Sequence, residues 1–278
     1  RLGRFDLNLS ILLLGMVLPF FYKGHLVVFN LPFVQLMPLM VFKLRRFLFF
    51  IHGLSSSGKF GIFHAWLLRS LASNNQVIVT STETAKNFQS ARNVCVLPLT
   101  LKMDDELKLL GIDLPTEDYF LFVGRYAAYK GIDVLAAAVA QCEGRVKVVM
   151  IGPGTEEVNK LEIDGLFGMG FVSRTQKEDL LARCKGMVLP SVGDGEGFGL
   201  VQLEAMAAGK SVIVSELKTG IHKVCGDYAR VVAPGDVQQL AASMENYVAP
   251  CSIELRKFYL TRYGASAFEA RLQSLLHN

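Results

Sequence analysis

The stretch Pro190-Ser191-Val192-Gly193-Asp194-Gly195-Glu196-Gly197-Phe198-Gly199-Leu200-Val201-Gln202-Leu203-Glu204-Ala205-Met206-Ala207-Ala208-Gly209 decides how the chain is read. It follows Gly186-Met187-Val188-Leu189, a short apolar run of the kind that forms a buried strand. The stretch therefore begins at a strand's carboxyl end, the edge at which open parallel sheets bind ligands. Gly193, Gly195, Gly197 and Gly199 surround Glu196, so backbone can approach a ligand closely there. A helix is expected over 199–208, with Leu200, Leu203 and Ala207 packing down and Gly209 ending it in the left-handed region. Its first amides and dipole suit a diphosphate. Two carboxylates stand eight positions apart, Glu196 in the loop and Glu204 two turns inside the helix. Glu196 can reach sugar hydroxyls, and Glu204 can accept both hydroxyls of a ribose. The alternative is a glycine-rich connection with a capping and a surface glutamate. It sits poorly with a charge set among the apolar neighbours of Glu204.

Outward from this stretch, short apolar runs alternate with helical segments. Strands are expected at 119–124, 146–151, 168–172, 186–190, 211–215 and 229–233. Helices fall near 131–142, 155–164, 174–184, 199–208 and 219–225, followed by 236–248 and 252–276. Such alternation predicts an α/β domain with a parallel sheet, a complete Rossmann-like domain over 119–250. Residues 251–278 are expected to pack back toward the N-terminal half as a terminal helix. Residues 1–100 show strands at 25–30, 46–52, 76–80 and 94–98, with helices near 33–44, 61–73 and 82–89. They predict a second Rossmann-like domain, incomplete at its start because the chain begins at Arg1 rather than Met. Residues 101–118, with Asp104, Asp105, Gly111 and Pro115, form the expected connection.

A second motif is Phe122-Val123-Gly124-Arg125-Tyr126-Ala127-Ala128-Tyr129-Lys130-Gly131-Ile132-Asp133. A strand ends, a loop carries Arg125 and Lys130, and a helix begins. Two cations beside a helix N-terminus suit a departing nucleoside diphosphate, whose charge grows as its bond breaks. Taken alone, the motif also reads as a βα turn with two solvated cations. Ile151-Gly152-Pro153-Gly154 is not a dinucleotide fingerprint, because Glu157 stands where a third glycine is needed.

The stretch from Glu196 to Glu204 resembles the Glu-x(7)-Glu motif of a large retaining glycosyltransferase family. That family includes bacterial mannosyl-, glucosyl- and rhamnosyltransferases and sucrose synthase. The segment Gly124 to Gly131 resembles its G-R-x(4)-K-G pattern. The resemblance runs from about residue 119 to the C-terminus. It implies the GT-B fold, with two Rossmann-like domains whose parallel sheets face a cleft. It also implies transfer of a hexose from a nucleotide sugar, such as a GDP- or UDP-sugar, to a glycan or lipid-linked acceptor. On that likeness Glu196 contacts the donor sugar, Glu204 the ribose, and Arg125 and Lys130 the leaving group. Backbone around Gly197, Phe198, Gly199 and Leu200 cradles the diphosphate. Gly170-Phe171-Val172 resembles the strand end that reads the base, and His52 the histidine that lines the sugar pocket. No metal and no cofactor is expected, and Asp194-Gly195-Glu196 resembles a metal-binding D-x-D only superficially. Ser215-Glu216-Leu217-Lys218-Thr219-Gly220-Ile221-His222 departs from the commonest family pattern, in which two glycines precede Pro-Glu. The departure bears on which sugar is carried. His222 reads as a surface or helix-start residue.

Gly53-Leu54-Ser55-Ser56-Ser57-Gly58-Lys59-Phe60 fits G-x-x-x-x-G-K, the context of a P-loop NTPase. Its eighth position is Phe60, where magnesium requires Ser or Thr, and no later strand supplies the needed Asp. It reads as a flexible loop near the acceptor. The NTPase remains one alternative, and a donor-binding fragment without catalysis another.

The composition fits these readings. Of 278 residues, 51% are hydrophobic and 19% charged, which suits a packed globular protein rather than a disordered one. The first 70 residues carry eight Lys or Arg and one acid, a balance of +7 against +4 for the whole chain. Basic and apolar together suggest contact with an anionic membrane surface; the alternative is a solvated edge around a buried sheet. No nucleic-acid partner is expected. Residues 11–22 and 26–42 are apolar, but the first is short and the second is interrupted by Asn30, Pro32, Gln35 and Pro38, so neither reads as a membrane span. Five cysteines without a C-x-x-C pair argue against a disulfide framework or zinc site and for the cytosol, with the protein peripheral to a membrane face at most.

Overall fold

A computed structural model gives the fold and describes residues 26–29, 47–51, 66, 69–70, 76–88, 93–102, 106, 109, 117–193 and 195–277. The chain divides into two compact units, Arg1–Leu97 and Pro98–Asn278.

The first unit holds a parallel sheet in the order β1-β2-β3-β4. Its strands are β1 (Leu26–Phe29), β2 (Phe47–Ile51), β3 (Gln76–Val79) and β4 (Asn93–Val96). Leu26 stands opposite Phe47, Leu48 opposite Gln76, and Gln76 opposite Asn93. After β3 a single turn of helix, α1 (Thr82–Ala85), passes into a 3₁₀ turn over Lys86–Phe88. Ser81 caps α1 by accepting the Thr84 amide at 3.1 Å, and Phe88 is fully buried. Trp66, Arg69 and Ser70 are helical, while the helix expected at 33–44 lies outside the described residues.

The second unit is more extensive. Its strands are β5 (Phe120–Val123), β6 (Val148–Ile151), β7 (Leu166–Gly168), β8 (Gly186–Leu189), β9 (Val212–Ser215) and β10 (Arg230–Val232). All pair in parallel, in the order β7-β6-β5-β8-β9-β10. Parallel neighbours need crossover helices, so both faces must be covered. Side-chain alternation achieves this. Leu121, Met187, Leu189, Val212 and Val214 face one core layer, and Phe120, Phe122, Val188 and Ile213 face the other. Against the second layer lie α2 (Ile132–Gln141) and α5 (Val237–Glu245), through Leu135, Val139, Leu240 and Met244. Against the first lie α3 (Arg174–Arg183) and α4 (Leu200–Ala207), and α6 (Ser252–Tyr263) packs on α4. The chain ends in α7 (Ala265–His277). This is a doubly wound sheet in which strand order reverses between β5 and β8, and the crevice at such a reversal is where these sheets hold ligands.

Four expected elements are corrected, the first being the helix placed at 155–164, which is a 3₁₀ helix over Thr155–Leu161. The strand placed at 168–172 is Leu166–Gly168 instead. Gly170 adopts φ +69°, which ends the extended run, and its amide donates to the buried Thr155 hydroxyl at 3.1 Å. Beside this edge strand, the Asn159 side chain donates to the Gly168 carbonyl and accepts its amide, both at 2.8 Å. The helix placed at 219–225 is a pair of 3₁₀ turns, Ile221–Lys223 and Gly226–Tyr228. The helix placed at 252–276 breaks at Gly264. There the Glu106 carboxylate accepts the Ala265 amide at 2.8 Å, an N-terminal cap brought from far away in sequence. The same carboxylate accepts the hydroxyl of the fully buried Tyr259 at 2.8 Å.

Cys142, Cys184 and Cys225 are buried thiols. Burial pushes Cys142 up to about 11 and Cys184 up to about 12, so both stay protonated and inert at neutral pH. No helix among the described residues is long and apolar enough to cross a membrane.

Candidate active site

Three loops meet at the carboxyl end of the second sheet. The loop after β5 runs from Gly124 to Gly131, and that after β8 from Pro190 to Gly199. They are tied backbone to backbone, for the Tyr129 carbonyl accepts the amides of Val192 at 2.9 Å and Gly193 at 3.3 Å. A Cβ on Gly131, whose φ is +66°, would lie 2.0 Å from the Pro190 carbonyl oxygen. The loop after β6 approaches as closely. A Cβ on Gly152, φ +126°, would stand 2.2 Å from the Gly124 oxygen, and the Tyr126 amide donates to the Pro153 carbonyl at 2.9 Å.

This packing brings together three residues expected to act together. Lys130 Nζ forms an ion pair with Glu196 Oε2, and their side chains are only 11% and 13% exposed. Arg125 stands at the rim. Its Nε and Nη2 donate to the Tyr129 hydroxyl at 3.3 and 3.1 Å, and its guanidinium lies 5.5 Å from that ring's centre. Two cations and one carboxylate thus share the end of β5 and β8, with one net positive charge for an anionic group.

Helix α4 starts at the same place. Gly199 is its N-cap at φ +72°, so the amides of its first turn open toward the loop. It ends in a Schellman motif, with Lys210 donating to the Ala205 carbonyl at 2.8 Å, Gly209 to the Met206 carbonyl at 3.0 Å, and Gly209 at φ +73°. Leu203 and Ala207 are buried, but Leu200 is 47% exposed, a correction to the expected packed face. As the first helical residue it lies at the mouth of the helix, before the packed turns begin. Phe198 is 6% exposed and makes an edge contact with Tyr263, ring centres 6.0 Å apart. The Phe198 side chain is thus part of the core.

Glu204 points from the second turn of α4. Its Oε1 accepts Lys177 Nζ from α3 at 2.7 Å, while its Oε2 is buried without a hydrogen-bond partner. An ionised carboxylate oxygen left so is costly unless a further donor completes it. Ser191 Oγ, Thr219 Oγ1 and His222 Nδ1, at the ends of β8 and β9, are likewise buried without partners. Phe171 is 84% exposed in the loop after β7, and Val172 is partly buried against the first core layer. His52 and the segment from Gly53 to Phe60 lie outside the described residues.

Three residues of the site escape a linear reading. Lys177 follows a capping box at Ser173 and looks like a surface lysine. Tyr129 lies within the motif but carries no charge. Gln202 is fully buried in α4, donating to the Phe198 carbonyl at 3.3 Å and the Ile221 carbonyl at 3.1 Å. A polar residue inside an apolar helix stretch is the one available signal for it.

Comparison with known proteins points the same way. Residues 117–249 match the family model described as Glycosyl transferases group 1. The chain is 29% identical over 179 residues to O-antigen chain mannosyltransferase C of Escherichia coli, covering 60% of this chain and 47% of that protein. It is 33% identical over 133 residues to phosphatidyl-myo-inositol mannosyltransferase of Mycolicibacterium smegmatis, covering 45% of this chain and 34% of that protein. The chain thus spans between a third and half the length of these curated relatives. Among solved structures, HepE of Anabaena in complex with UDP superposes with a TM-score of 0.72 at 18% identity, over 99% of this chain and 83% of that one. The likeness extends across both units and shows the two-sheet GT-B architecture.

Proposed function

We infer, from the family match over residues 117–249, that this chain is a glycosyltransferase that moves a hexose from a nucleotide diphosphate sugar to a glycan or lipid-linked acceptor. The observation that carries the reading is the Glu196–Glu204 pair at the strand-order reversal. Glu196 is held by a buried lysine, and Glu204 keeps one buried oxygen open. Glu204 accepts the ribose hydroxyls, the α4 amides with Gly197, Phe198 and Gly199 hold the diphosphate, and the loop at Phe171 and Val172 receives the base. Arg125 and Lys130 stabilise charge on the leaving group, so the reaction needs no metal. Transfer proceeds with retention. The bond from the anomeric carbon to the diphosphate oxygen breaks as the acceptor oxygen attacks the same face, and the acceptor's proton passes to the departing oxygen. The protein supplies position and electrostatics rather than a nucleophile. His52, expected to line the sugar pocket, and an acceptor site belong to the N-terminal unit.

Thermal-shift measurements with UDP-, GDP-, ADP- and dTDP-sugars test this, because only a nucleotide that binds the native state raises the melting temperature. One of them is expected to do so, and Glu204→Ala to lose the shift while melting normally without ligand. Loss of charge-assisted hydrogen bonds worth about 1.5–3 kcal/mol corresponds to roughly 10–100-fold weaker binding. Unchanged affinity in the variant removes Glu204 from the site. Magnesium-dependent ATP hydrolysis would favour the P-loop reading, and nucleotide-sugar binding without transfer the non-catalytic one.

The excess of basic residues in the first 70 positions supports a peripheral site of action on an anionic, cytoplasmic membrane face. Each basic residue near such a surface contributes about 1 kcal/mol, so a few of Lys43, Arg45, Arg46 and Lys59 suffice for reversible binding. Co-sedimentation with anionic vesicles is expected at low salt, to be lost at high salt and weakened by Arg45→Glu with Arg46→Glu. No sedimentation at low ionic strength would mean that the charge is only a solvated face.

A further inference from the structure

Tyr129 has no charge and no place in the chemistry above, yet it touches both cations and the backbone of the glycine-rich loop. Its carbonyl accepts the Val192 and Gly193 amides. Its hydroxyl accepts both Arg125 donors, at 3.3 and 3.1 Å. Both cations stand over its ring, Arg125 at 5.5 Å and Lys130 Nζ at 5.4 Å from the centre. The glycine-rich loop lies on it directly. A Cβ on Gly195 would meet the ring at 2.9, 3.1 and 3.1 Å, and one on Gly193 would lie 3.0 Å from Tyr129 Cβ. Gly193 does not adopt a left-handed backbone, so conformation does not demand a glycine there; the closeness of Tyr129 does.

We propose that Tyr129 is a positioning residue that clamps the cationic loop after β5 to the glycine-rich loop after β8, and so fixes where Arg125 stands relative to the bound diphosphate. The assignment of Arg125 rests on the functional reading above; the clamp itself does not. An arginine at a rim has many rotamers, and one anchored by its own loop's hydroxyl and ring face needs less ordering when the leaving group forms. The ring supports the loop sterically, and the hydroxyl orients the guanidinium. These two functions separate by substitution.

Tyr129→Phe keeps the ring and removes the anchor. It is expected to lower kcat about 3–10-fold with donor KM nearly unchanged, and to have no further effect in an Arg125→Ala background, since residues acting through one contact are not additive. Tyr129→Leu removes the ring and is expected to speed amide hydrogen exchange over 190–199, which Tyr129→Phe leaves as in the wild type. An additive effect with Arg125→Ala overturns the orienting role. Unchanged exchange over 190–199 in Tyr129→Leu overturns the clamp. If the wild type binds no nucleoside diphosphate, the functional reading falls, and the clamp is decided by the exchange result alone.

Discussion

Replacing Lys130 with alanine is expected to lower turnover by roughly 10²–10³-fold, the scale seen when one donor to a developing negative charge is removed, while donor affinity falls much less. Charge on the departing diphosphate grows toward the transition state, so a cation placed there binds the transition state more tightly than the bound substrate. Lys130 stands beside Glu196 with little water around either. Removing the lysine leaves a shielded carboxylate unpaired, which costs stability and frees Glu196 to move. A melting curve of Lys130→Ala without ligand measures that cost, and Lys130→Ala with Glu196→Gln relieves it without restoring turnover. Steady-state kinetics with the donor found by thermal shift give the split. Equal losses in kcat/KM and donor affinity would reduce Lys130 to a binding residue.

Gly131→Ala is expected to be among the most damaging small substitutions in the second unit. Its left-handed conformation alone costs a non-glycine residue about 1–2 kcal/mol. Its Cβ would also lie 2.0 Å from the Pro190 oxygen and 3.0 Å from the Pro190 carbonyl carbon. Those are backbone atoms, so no rotamer change relieves the clash, and the loops after β5 and β8 must part. A loss above about 3 kcal/mol is expected, which for a unit of this size lowers the melting temperature by roughly 6–12 °C. Nucleotide binding should fall with it. Gly235→Ala is the control, because Gly235 has φ +81° and nothing within 4 Å of its added Cβ. It carries the conformational cost alone. If the two variants melt alike, the approach to Pro190 is not what requires glycine at 131.

The βα alternation was legible because both faces of the second sheet are covered, which makes its strands short apolar runs. Legibility failed where tertiary contacts decide. The pattern around 168–172 is apolar enough for a strand, but Gly170 turns left-handed onto Thr155. Helical periodicity continues through 264, and the break there depends on a carboxylate 159 positions away. Leu200 fits the packed face by spacing, yet the first turn of a helix extends past its core. At the site, the sequence placed Arg125, Lys130 and Glu196 at strand ends, where chemistry is expected. It could not pair Lys130 with Glu196, because that needs β5 and β8 to be neighbours although the two residues are 66 positions apart. Lys177 and Tyr129 stayed hidden for the same reason: their partners are defined by packing rather than by spacing.

The Glu106 carboxylate has a bearing on protein engineering. It lies in the stretch that leads out of the first unit, and it holds both Tyr259 of α6 and the first amide of α7. The terminal helices and that stretch therefore form one transplantable block with the second sheet. A hybrid that grafts this second unit onto a foreign first unit should be joined between Leu97 and Pro98, where the two compact units divide. A seam placed at 118, just before β5, would discard Glu106. It would leave the buried Tyr259 hydroxyl and the start of α7 without their shared acceptor, and the hybrid would inherit a loosened tail.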